Sequence, residues 1–324
     1  MTKAETNHSN NHLPYLDAAR GLGILLIILS HIWEDQRPVI VLMYSFHVPM
    51  FFLISGLLMA HTNVVSRSWK RILTSRIRGL VIPYFFYELV FLAIFGLRSG
   101  FDFSSQNGSW YDSLLMKPLN VPVWFLIVLF AAELFVILIL KTVRNKHVSA
   151  LIFLAAFVLS FAGAGLGDRE TAAVLFRILS AVGFLSLGYF SYEFLNGRTY
   201  SVPVLSITAV LTCILALWNG KVGIYKLTFG NPVIFTVCAV LGSFLILFLL
   251  KKFRIRALEL LGQHTVAILG LHIIALRILQ EILGLKTDGY AGGILALVLV
   301  AVSMTIAGMI LEWIVPFTVG KRKK

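Results

Sequence analysis

The sequence predicts an all-α fold: a polytopic transmembrane helix bundle of about ten spans, with both termini in the cytoplasm. Three observations predict it. Of 324 residues, 58% are hydrophobic and 13% charged, whereas a soluble domain is about half apolar and a quarter charged. The apolar residues gather into ten runs, each about 20 residues long, the length that crosses a hydrocarbon core as a helix. The basic residues divide unequally between the two sets of connections. The net charge of +13 then reflects the positive-inside rule, and no nucleic-acid partner is implied.

In chain order, residues 1–14 are polar and read as a disordered cytoplasmic segment. No small-residue cleavage site follows the first apolar run, so it reads as a span and not as a signal peptide. The spans fall near 15–33, 39–60, 79–97, 121–140, 148–166, 173–195, 201–218, 232–250, 262–284 and 291–315. They form one domain, 15–316, followed by a basic cytoplasmic tail, 317–324. Short connections make neighbouring helices antiparallel; the longest, 98–120, is rich in Ser, Gly and Asn. Pro83 should kink the third span and free backbone groups for a cavity. Pro49 and Gly56 suggest that the second span is broken or closely packed. Cys213 and Cys238 lie in apolar runs with no disulfide or metal-ligand spacing. No internal repeat of the transporter kind is visible.

Orientation follows from Lys and Arg. With the N-terminus in the cytoplasm, 18 of the 28 fall on the inner side, chiefly in 67–78, 141–146, 251–256 and 321–324. Seven fall on the outer side, and Arg20, Arg177 and Arg277 lie within spans. That asymmetry places both termini inside and requires an even number of spans.

Ionisable groups at membrane depth are costly, so each is a candidate for function. Asp17, Arg20 and His31 fall on the first span, His47 on the second and Glu133 on the fourth. Arg177 and Glu193 fall on the sixth, His272, Arg277 and Glu281 on the ninth, and Glu312 on the tenth. Glu193 and Glu312 lie near span ends, where side chains reach the interface. Arg277 and Glu281 are spaced for a local pair, and Asp17 for a pair with Arg20. Arg177 and Glu133 could pair between helices. His31 follows Arg20 by 11 residues. At about 100° and 1.5 Å per residue, it returns to nearly the same helix face about 16 Å further along. A histidine there suits general-base chemistry.

At the start of span 3, RSWKRILTSRIRGLVIPYFFY carries five basic residues between Arg67 and Arg78. Arg76 and Arg78 lie closest to the membrane, and guanidinium forks suit phosphate oxygens. Weaker acceptor or pocket candidates are His47 and Ser55 in FHVPMFFLISG, Trp124 in VPVWFL, Glu133, and His272 in LGQHTVAILGLH. Trp124 also reads as an aromatic-belt residue at the outer interface.

Taken in order, YLDAARGLGILLIILSH, FHVPMFFLISG, RIRGLVIPYFFY, VPVWFLIVLF and LGQHTVAILGLH resemble the acyltransferase-3 family, the integral membrane O-acyltransferases of bacteria. The likeness extends from Tyr15 to His272 and is to compact members without an appended extracytoplasmic domain. It implies a multi-pass protein of the cell membrane. Such a protein moves an acyl group, commonly acetyl, from cytoplasmic acyl-CoA to a hydroxyl of a cell-envelope or extracellular glycan. Acetyl-CoA is then a co-substrate, and no tightly bound cofactor is implied. The family's proposed catalytic histidine on span 1 corresponds to His31, and its span-1 arginine to Arg20. Its arginine pair on span 3 is usually Arg-x-x-Arg; here Gly79 stands three positions after Arg76, with Arg78 between them. Arg20, Arg76 and Arg78 would hold the CoA phosphates. His31 would act as general base or as a transient acyl carrier, and the residues leave both open. Two other classes share the intramembrane charges: a transporter or flippase for an anionic or lipid-linked glycan, and a non-catalytic sensor of the same fold.

Overall fold

Residues 12–33, 37–99, 118–166 and 171–320 are described by the computed structural model. Positions 1–11 of the expected disordered segment, most of the 98–120 connection and residues 321–324 of the basic tail lie outside the described residues.

Prolines open several helices, because at the first helical position the missing N–H has no partner to lose. Pro14 begins α1 (Pro14–Ile32) and Pro38 begins α2 (Pro38–His61). Next come α3 (Trp69–Arg76), a π-helical turn (Ile77–Val81) and α4 (Ile82–Ser99), which together form the third span. The remaining helices are α5 (Trp124–Thr142), α6 (Lys146–Ser160), α7 (Thr171–Phe190), the short α8 (Tyr192–Asn196), α9 (Val202–Asn219), α10 (Pro232–Lys252), α11 (Arg256–Gln263), α12 (Thr265–Arg277) and α13 (Tyr290–Ile314). A second π-helical turn, Ile278–Ile282, extends α12. Among the described residues, ten segments are long and apolar enough to cross a membrane, as the hydropathy predicts. Among the described residues there is no strand, only an isolated bridge between Gly223 and Thr228. Large apolar side chains face outward, Trp218 being 76% and Trp313 85% exposed. That inverted surface is stable only against hydrocarbon.

The third span departs from expectation in two ways. It starts at Trp69, so much of the basic run is helical. Lys and Arg are good helix formers, and their stems can lie along the apolar surface. At Pro83 the backbone also answers with a π-helical turn, which the sequence does not predict. Pro83 cannot donate to Gly79, and its ring would clash with that carbonyl in an α-helix. The helix widens just before it, with Ile82 N–H reaching Ile77 O.

Pro49 does not break α2, which runs unbroken and closely packed. A Cβ on Gly56 would overlap the Leu185 carbonyl of α7, and one on Gly188 of α7 would overlap the Leu53 carbonyl. Gly21 of α1 and Gly262 of α11 form a second such crossing, against the Leu258 and Asp17 carbonyls respectively. Small residues let membrane helices approach to backbone contact. The α11 helix that makes this crossing is anchored by Arg254, whose Nε and Nη2 donate to the Glu259 carboxylate at 2.7 and 3.1 Å. Those hydrogen bonds hold the Glu259 carboxyl below its ordinary range.

Candidate active site

The site is organised by α1. It is continuous from Pro14 to Ile32, so Arg20 and His31 share a face about 16 Å apart.

At one end Arg20 donates to Asp17 Oδ1 at 3.2 Å, and Asp17 Oδ2 meets His12 Nε2 at 2.5 Å. Glu133 of α5 belongs to the same group. Its Oε2 lies 2.6 Å from Arg76 Nε, and its charge acts on Arg20 as well. The short approach is off the hydrogen-bonding direction, so it holds the two as an ion contact. Asp17 and Glu133 are buried, while Arg20 and Arg76 are partly exposed. Arg78 is half-buried within the π-helical turn that follows Arg76.

Glu133 therefore stands among the arginines. It lies nine residues along α5 from Trp124, about 14 Å away along the axis. Arg177 of α7 donates from Nε to Tyr225 O at 2.8 Å, and its guanidinium lies over the Tyr225 ring at 4.3 Å. Ser55 is half-buried on α2, eight residues past His47. That is about 12 Å along the axis, between the two ends.

At the other end three histidines from three helices converge. The His31 ring, half-buried, lies against His272 of α12, with centroids 5.3 Å apart and planes at 47°. His47 of α2 is close enough to His31 for their charges to interact. His47 and His272 are buried, and each turns Nδ1 to its own helix. His47 Nδ1 donates to Met43 O at 2.6 Å; His272 Nδ1 donates to Ile268 O at 3.0 Å and Leu269 O at 2.9 Å. A carbonyl only accepts, so in each neutral ring the proton is on Nδ1 and Nε2 is bare.

Trp124 is buried and not an aromatic-belt residue. The 3₁₀ turn Val121–Val123 carries it inward, where its ring meets Tyr225 at 5.5 Å and the Arg177 guanidinium at 6.0 Å. A cavity of about 10 Å³ between Tyr84, Pro118, Trp124 and Arg177 has room for at most one water in this conformation.

The sequence reading passes over two residues here. Glu88 of α4 is fully buried and accepts from Leu119 N–H at 2.5 Å and Asn120 N–H at 3.2 Å. Asn120 donates its side-chain N–H to Gly270 O of α12 at 2.7 Å. Together they pin the turn ahead of Trp124 to α4 and to the helix of His272. The signal for Glu88 was present, a lone carboxylate inside IPYFFYELVFLAIF, and the rule that singles out Glu133 applies to it equally. Asn120 carries no charge and had no such signal.

A family model described as an acyltransferase domain matches residues 13–313. The chain belongs to this acyltransferase family. No curated relative and no solved structure matches it. The match begins at the residue before α1 and ends one residue short of the end of α13. Both clusters of this membrane acyltransferase, the arginines with their carboxylates and the three histidines, lie within it.

Proposed function

We propose that this acyltransferase moves an acyl group, acetyl in the first instance, from cytoplasmic acyl-CoA to a hydroxyl of a cell-envelope or extracellular glycan, with His31 as general base. One observation carries the reading: a single unbroken helix has Arg20, beside Arg76 and Glu133, at one end and His31, among histidines, at the other. The excess of Lys and Arg on the Arg20 side supports a cytoplasmic face there, and the apolar helices together with the family support a multi-pass membrane protein, which we place in the bacterial cell membrane.

CoA is a polyanion with a long, thin arm. Arg20, Arg76 and Arg78 hold its phosphates, and the arm extends along the bundle toward His31. The acceptor oxygen attacks the thioester carbonyl carbon while the His31 nitrogen takes the hydroxyl proton. The tetrahedral adduct collapses, the C–S bond breaks, and the imidazolium returns the proton to the CoA sulfur. The products are an ester and free CoA thiol. The dry bundle protects the thioester from water.

The test compares envelope glycans by mass spectrometry from cells with the wild-type protein, with His31→Ala and with none. Wild type should add the mass of one acyl group, and the variant should add none while glycan export continues. Acylation that survives His31→Ala refutes the assignment of the base. Loss of glycan export with no ester in any strain would favour a transporter. Absence of acyl-CoA turnover by the folded wild-type protein with varied acceptors would favour a sensor.

A further inference from the structure

His31 has a specific neighbour that general-base chemistry can use. We infer that His272 is the positioning residue for His31: its bare Nε2 accepts a hydrogen bond from one His31 N–H, leaving the other His31 nitrogen to take the acceptor proton. The inference rests on the proposed role of His31 and adds a second imidazole to it.

Four observations lead to it. His272 is fully buried, so its ring orientation is set by packing and not by solvent. Its Nδ1 is committed to the Ile268 and Leu269 carbonyls, which fixes Nε2 as the acceptor of the neutral ring. That Nε2 is buried without a hydrogen-bond partner. A buried polar atom left unsatisfied is unfavourable by about 1–3 kcal/mol, so it needs an explanation. The His272 ring packs against that of His31, with centroids 5.3 Å apart.

The ring separation allows the bond. Subtracting the two ring radii leaves facing nitrogens within ordinary hydrogen-bond reach, about 2.7–3.2 Å. In the structure the planes are tilted at 47° and the bond is not made. A modest turn of the half-buried His31 ring closes it. Base geometry is often loose in the unliganded state and tightens with substrate. His47 is the other imidazole beside His31, but its ring packs edge-on against Tyr44 at 5.1 Å. The arrangement has the logic of a catalytic triad, in which a third group selects the tautomer of the base and aims it. Here the third group is a neutral imidazole, suited to a dry bundle where a carboxylate would be costly to bury.

The experiment uses full-length protein in nanodiscs, with acetyl-CoA and acceptor. His272→Asn places an amide N–H near the position of Nδ1 and removes Nε2. His272→Gln places an amide oxygen near the position of Nε2 and gives up Nδ1. If Nε2 positions His31, the Asn variant should lose about 100-fold or more in kcat with an unchanged KM for acetyl-CoA, and Gln should recover at least tenfold of that loss. If His272 serves only its own helix through Nδ1, the order reverses and the inference is overturned. An Asn variant with wild-type kcat overturns it as well. Nitrogen NMR of ¹⁵N-histidine-labelled wild type needs no variant to fold. It should show His272 with Nδ1 protonated and Nε2 bare, and the opposite tautomer refutes the inference. His31→Ala is the control: if it is active, the parent reading fails; if it is dead while His272→Asn is not, only this inference fails.

Discussion

Removing the Arg20 guanidinium separates donor binding from chemistry along α1. Among the described residues, Arg20 donates one side-chain hydrogen bond, to Asp17 at 3.2 Å, long for a charged pair. Its side chain is partly exposed, so the pair contributes no more than about 0–1 kcal/mol to stability. Arg20→Ala does not strand Asp17, because His12 remains at 2.5 Å from the other carboxylate oxygen. The variant should therefore fold. A charge-assisted bond from Arg20 to a CoA phosphate would contribute about 1.5–3 kcal/mol, offset in part by loosening the contact with Asp17. At about 1.4 kcal/mol per factor of ten, the donor KM should rise about 10- to 100-fold. His31 lies about 16 Å along the helix, so kcat should change by less than about threefold. The assay is initial rate against acyl-CoA concentration at saturating acceptor. Arg20→Lys should fall between, since an ammonium keeps the charge and loses the fork. A variant with wild-type donor KM and a collapsed kcat would refute the division of labour.

Two further outcomes follow from the same end of the bundle. Glu133→Gln leaves Arg76 and Arg20 without their shared buried carboxylate, a loss of up to about 3–5 kcal/mol for a broken buried pair. The variant should melt below wild type without donor, and saturating CoA should narrow the gap as phosphate replaces the carboxylate; a gap that widens with CoA would show that Glu133 itself helps to bind the donor. Gly262→Ala sets a Cβ against the Asp17 carbonyl, which forces α1 and α11 apart at about 1–3 kcal/mol. Thermal stability and donor affinity should both fall, whereas Gly289→Ala, whose Cβ meets open space, should match wild type; equal melting of the two variants would dismiss the crossing as a determinant of the donor end.

The sequence was most informative wherever a property is local. Spans are readable because a run of about 20 apolar residues has few stable alternatives in a bilayer. The shared face of Arg20 and His31 is readable because helical phase holds along an unbroken helix. The Asp17–Arg20 pair is readable because three residues is one turn. What joins distant segments was not readable. Arg76 and Glu133 are 57 positions apart, and His31 and His272 are 241 apart; nothing in either stretch names the other. Trp124 carried two readings, pocket residue and aromatic-belt anchor, for a related reason. A tryptophan at the end of an apolar run looks like an interfacial anchor, and only the 3₁₀ turn before it shows that the ring faces Arg177.

The π-helical turns show how such long-range order is built from local chemistry. Each accommodates an extra residue, shifting the helical phase after it by about 100° relative to an uninterrupted α-helix. In the third span that shift falls between Arg76, which meets Glu133 of α5, and Glu88, which holds the turn beside α12. An uninterrupted helix through Pro83 would turn one of these groups away from its partner. Pro83 is thus more than an obstacle to the helix. By making the π-helical turn the accessible backbone solution, it lets one span serve the arginine cluster at one end and support the helix of His272 toward the other. Hydropathy sees the proline and predicts a kink, but the consequence for facing is fixed by which neighbours the two halves meet.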